Sequence, residues 1–75
     1  MKVRADVKGV RLIVVESAGR WSISIIGSDG DYLKPLHDFA DSLDSAKLRA
    51  CKRASTAFDF DYDDDACKQI PWEEF

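Results

Sequence analysis

Seventy-five residues with two cysteines, a net charge of −3 and 45% hydrophobic residues describe one small globular domain. A chain this short buries only about 60% of its unfolded surface. Too little chain remains to wall a deep substrate cavity, which counts against an enzyme before any motif is considered. The charge is lopsided: residues 1–37 carry six basic groups against four acidic ones, and residues 38–75 carry five against ten.

Residues 2–16 read as extended. Val3, Ala5 and Val7 alternate onto one face, and after Gly9 the apolar set changes parity to Val10, Leu12 and Val14. That shift predicts either one long strand with a bulge near Lys8-Gly9 or two strands with a tight break there. Ser17-Ala18-Gly19-Arg20 reads as a hairpin loop. Trp21–Gly27 follows as a strand with Trp21, Ile23 and Ile25 inward and Ser22 and Ser24 outward. Gly27-Ser28-Asp29-Gly30 reads as a second turn. Asp31–His37 reads as an edge strand, because Pro35 cannot donate to a ladder.

Asp41 or Ser42 can cap a helix running to about Phe58. Its apolar arc is Leu43, Ala46, Ala50, Cys51, Ala54, Ala57 and Phe58. Leu48 falls outside this arc, and Lys47 falls inside it and must snorkel. The expected fold is therefore α+β: an antiparallel meander of three or four strands, one helix packed on one face, and an acidic aromatic C-terminal segment. Residues 1–58 form the sheet-plus-helix core and 59–75 the terminal segment of the same domain. The aromatics of this tail are expected to dock on the second face of the sheet, over Ile13, Val15 and Ile26.

The start Met1-Lys2-Val3-Arg4 opens no apolar leader, and no apolar run is long enough to span a bilayer. A cytoplasmic location and no membrane association are expected. Cys51 and Cys67 then read as reduced thiols, with a disulfide stapling tail to helix as the alternative.

Asp59–Asp65 reads Asp-Phe-Asp-Tyr-Asp-Asp-Asp. Charges at this density repel one another and hold a segment at the surface, while its aromatics offer apolar anchoring. The spacing of Asp59, Asp61, Asp63 and Asp65 opens like a calcium loop. It fails at Asp64, where glycine is needed, and at Ile70, where a bidentate glutamate is needed. His37 with Cys51 or Cys67 lacks the third group of a nucleophilic site, and the wide spacing lacks a short zinc-ligand pair. Ser28-Asp29-Gly30-Asp31 lacks the glycine run and lysine of a phosphate loop. No catalytic residue, metal or cofactor is expected. Lys47, Arg49, Lys52 and Arg53 make the helix basic, as a solvated face or as phosphate contacts.

The strand order with Gly19-Arg20-Trp21-Ser22-Ile23-Ser24-Ile25, Asp29-Gly30, Phe39 and Ser42–Ala46 resembles the small three-stranded-sheet-plus-helix modules of AP2 and integrase arm-binding type, over about residues 10–55. The resemblance implies DNA reading by the exposed sheet face. Here that face carries Lys2, Arg4 and Arg11 but also Ser22, Ser24, Ile13 and Val15. The leading expectation is a non-catalytic binding module or inhibitor. Asp59, Phe60, Asp61, Tyr62, Asp63, Asp64, Asp65, Trp72, Glu73 and Glu74 would engage a basic protein surface, with Phe75 as a further apolar anchor. The partner is envisaged as a nucleic-acid-handling protein, with the carboxylates imitating phosphates, as in small acidic inhibitors of phages and mobile elements. Direct DNA binding with the acidic tail as a brake is the second expectation. The molecule is expected as a monomer or dimer.

Overall fold

The computed structural model describes residues 1–27 and 38–75. Two tight turns organise the first half. Strand β1 (Lys2–Val7) meets β2 (Val10–Ser17) antiparallel, with Val7 opposite Val10. Lys8 and Gly9 both take positive φ, 52° and 78°. This is the backbone of a two-residue hairpin turn whose twist matches that of the strands. The parity change at Gly9 is therefore a chain reversal, and the bulge alternative is set aside. Ala18 (φ 52°) and Gly19 (φ 79°) repeat the device between β2 and β3 (Arg20–Ile26).

The described part of the sheet has five strands in the order β4-β3-β2-β1-β5, all antiparallel neighbours. The three- or four-stranded expectation falls short because two short edge strands carry no alternation long enough to read. Strand β4 is Asp38–Ala40 and β5 is Glu73–Glu74. The expected strand Asp31–His37 and turn Ser28–Gly30 lie outside the described residues.

Helix α1 spans Leu43–Ala57. Ser42 caps it, its hydroxyl accepting from Ser45 N–H at 3.2 Å, which satisfies one of the free donors of the first turn. Its far end closes with Asp59 in the left-handed region (φ 58°) and Phe60 N–H donating back to Ser55 O at 3.0 Å. An aspartate tolerates that conformation better than most side chains, and the return bond satisfies a carbonyl left over at the helix end.

The core lies between the inner face of the sheet and a second layer of two parts. Ala46, Ala50, Cys51 and Ala54 are fully buried, and small side chains let α1 approach the strands closely. This helix packs on β2, β3 and β4 but not on β1. The inner residues of β1, Val3, Ala5 and Val7, are nevertheless buried, in the same cluster as Cys67 and Ile70. The C-terminal segment thus shares one core with the strand that α1 does not pack on. Helix α2 (Asp64–Lys68) packs beside α1, and its Cys67, together with Ile70, belongs to that cluster. Phe60, Tyr62 and Trp72 of the tail accordingly pack against the core rather than on the second face of the sheet. Ile13, Val15 and Ile26 stay half-buried on that second face.

Cys51 and Cys67 form a disulfide, with Cα atoms 5.7 Å apart. The expectation of reduced thiols is overturned by this packing: both residues face each other across the buried α1–α2 contact. The tail also resolves the two residues that fit the helix poorly. Leu48 is half-buried against the core, and Lys47 extends its ammonium to 5.9 Å from the Trp72 ring centroid. Helix α1 has two partners, sheet and tail, so its apolar arc is wider than one sheet contact requires. Ala57, expected in that arc, is exposed.

Candidate functional site

The acidic segment is held by its own chemistry. Asp59 terminates α1, and Asp63 caps α2, its Oδ1 accepting from Ala66 N–H at 2.8 Å. Asp64 Oδ1 lies 3.0 Å from Lys52 Nζ, and Glu73 Oε1 accepts from Arg4 Nε at 2.9 Å. Asp59, Asp61, Asp65 and Glu74 are exposed and form no ion pair among the described residues. The remaining negative patch is thus narrower than the sequence run.

The aromatics of the same stretch are turned partly into the protein. Phe60 and Tyr62 meet edge-to-face with centroids 5.1 Å apart, and both pack against the core, as does Trp72. Edge-to-face contact suits the ring quadrupoles. Trp72 also lines an open groove of about 480 Å³ between α1 and the tail, with Asp44, Lys47, Leu48, Lys68 and Ile70. Its indole N–H is buried without a hydrogen-bond partner among the described residues.

The cations of α1 are engaged within the molecule. Arg49 donates to Asp38 Oδ1 at 3.1 Å and to Phe39 O at 2.6 Å. Arg53 Nη2 sits 3.0 Å from Asp38 Oδ2, an electrostatic contact whose angles fall outside those of a hydrogen bond. Arg49 and Arg53, four residues apart on one helix face, clamp β4 through a single carboxylate. With Lys52 on Asp64 and Lys47 over Trp72, each of the four helix cations already has a partner inside the chain.

The second face of the sheet has a different character. By strand alternation it carries Lys2 and Arg4 of β1, Arg11, Ile13 and Val15 of β2, and Arg20, Ser22 and Ser24 of β3. Arg11 donates to Asp6 at 3.0 Å; this bond and the nearby carboxylate charge raise its pKa further above its usual value, so it stays cationic. Phe39 and Phe75 are 44% and 51% exposed, which makes them, with Met1, the large apolar side chains most open to solvent among the described residues. Phe39 of β4 lies opposite Ser22, which places it outward on this face, and the guanidinium of Arg20 stands 5.8 Å from its ring centroid. Phe75 N–H donates to Lys2 O at 3.2 Å, which continues the β1–β5 register. Its ring lies 5.1 Å from the Arg4 guanidinium and 5.9 Å from Lys2 Nζ.

Neither Phe39 nor Arg20 stands among the expected binding residues, although both lie in the stretch that carries the resemblance. Parity places Phe39 outward only once the structure shows Ala40 buried in β4. Among the described residues no group of three or more His, Cys, Asp or Glu side chains is arranged to hold a metal ion. No described helix is long and apolar enough to cross a membrane. No family model matches the chain, nor does any curated protein or solved structure.

Proposed function

We propose that this chain is a non-catalytic binding module whose acidic C-terminal surface engages a basic protein. The observation that carries the reading is the division of labour among the terminal carboxylates. Asp63, Asp64 and Glu73 are consumed by a cap and two ion pairs, while Asp59, Asp61, Asp65 and Glu74 stand exposed and unpaired among the described residues. The backbone that presents them is fixed by the α1 terminus, by α2 and by the disulfide. A preorganised array of charge spends little ordering entropy when a partner binds. A nucleic-acid-handling protein fits as the partner, because carboxylates on a rigid backbone offer the sign of charge that such proteins attract.

The test is a variant that removes charge and leaves shape, D59N/D61N/D65N/E74Q. Asn keeps the left-handed tolerance needed at position 59. Purified wild-type protein, immobilised and exposed to lysate of its native host, should retain basic proteins that elute with salt. The variant, folded by circular dichroism, should retain none of them. Retention of the same proteins by both would end the reading.

A further inference from the structure

The surface facing away from α1 carries a second inference, which stands on different residues and does not rest on the acidic-surface reading. One cross-strand row runs Phe39–Ser22–Val15–Lys2–Phe75, each residue opposite the next across the sheet. Four strand spacings separate its ends, about 19 Å. Each end is an exposed phenylalanine with an arginine beside it: Arg20 at Phe39 and Arg4 at Phe75. Between them lie a hydroxyl, a branched apolar side chain and a lysine. Both helices pack on the inner face, and among the described residues no element packs on this one.

We propose that this face binds single-stranded nucleic acid, with bases stacking on Phe39 and Phe75 and phosphates met by Lys2 and Arg20. Three features of this face select this occupant. The face is locally positive: Lys2, Arg4, Arg11 and Arg20 outnumber Asp6 and Glu73. Lys2 and Arg20 have no carboxylate partner among the described residues, so their charge is available to phosphates. The exposed apolar side chains at its ends are planar rings beside guanidinium groups, and every base can stack on such a pair whatever its sequence. A duplex hides its base faces and gives isolated rings nothing to stack on. A second copy joined through the same face would bring Lys2 and Arg20 against like charges, which disfavours it. The acidic segment lies on the helical layer, so its repulsion directs a polyanion to the sheet side.

Fluorescence anisotropy with a labelled twelve-residue oligothymidylate tests the proposal on the full chain. Wild-type protein should bind it at low salt. If two to four phosphates are neutralised, the slope of log K against log salt should be about −1.4 to −2.8. A duplex of equal length should bind more weakly. Phe39→Ala and Phe75→Ala should each weaken binding about tenfold, since base–ring stacking accounts for that order of affinity. Both positions are half-exposed, so the fold should survive. Arg20→Glu and Lys2→Glu provide a second reading that leaves both rings in place, and each should also weaken binding. Four results would overturn the proposal: no binding at low salt, preference for the duplex, equal displacement by inorganic polyphosphate, or oligothymidylate affinity unchanged in the F39A/F75A protein. Self-association that is lost in the same double variant, without oligonucleotide binding, would assign the face to a second copy instead.

Discussion

At the scale of single residues, three non-glycine positions among the described residues take positive φ: Lys8, Ala18 and Asp59. Ala18 is the least suited, since alanine has no polar side chain to compensate the crowding of its Cβ. Ala18→Asn should therefore raise stability by roughly 0.5–1 kcal/mol, the scale of the left-handed penalty relieved by asparagine in such turns. The midpoint of urea unfolding measures it, and a lower midpoint would contradict the turn assignment. Gly19→Ala should act in the opposite direction. Its φ of 79° disfavours a side chain even though the space around it is open. The cap at Ser42 belongs to the same scale: Ser42→Ala should cost about 1 kcal/mol by leaving a first-turn N–H unsatisfied.

At the scale of elements, α1 is shaped by two surfaces. Ala46, Ala50 and Ala54 form a ridge of small side chains toward the sheet, and Cys51, Leu48 and Lys47 turn toward the tail. Ala50→Leu should overpack the sheet contact and cost roughly 1–3 kcal/mol, read by thermal or chemical unfolding. The disulfide ties α1 to α2 across a sequence separation of 16. Closing a loop of that size removes freedom from the unfolded chain worth about 3 kcal/mol. Unfolding followed with and without dithiothreitol should show a midpoint drop of that order, and a C51A/C67A protein should match the reduced one. An unchanged midpoint would show that the thiols are not paired in solution. The helix and its cap were legible because period, cap and apolar arc agree along a single stretch. The edge strands were not, because three and two residues cannot display an alternation.

At the scale of the molecule, the C-terminal segment is part of the domain's core. It adds Cys67 and Ile70 to the core cluster that holds the inner side chains of β1, and it adds β5 to the edge. A chain cut to residues 1–58 should lose cooperative unfolding, as judged by near-ultraviolet circular dichroism and a denaturant titration. Retention of a sharp transition would show that the first two β hairpins and α1 suffice. Ile70→Ala in the full chain should cost roughly 2–4 kcal/mol, the usual range for emptying a buried aliphatic site. The two charge surfaces follow from the same layering. Helical layer and tail carry the unpaired carboxylates, and the opposite sheet face carries Lys2 and Arg20.

The Ser17–Arg20 hairpin, the inward sets of β1, β2 and β3, and the span of α1 were legible in the sequence, because each is written in a local period with its own turn or cap, whereas the reversal at Lys8-Gly9 needed the structure to separate it from a bulge. The sequence also showed the acidic stretch and the charge asymmetry, which are matters of composition. Contacts between distant segments settle which carboxylates stay unpaired among the described residues, that Cys51 meets Cys67, that Phe60, Tyr62 and Trp72 turn partly inward, and that Phe39 and Phe75 end one row of an open face. A buried surface needs a partner from elsewhere in the chain, and no local pattern names that partner.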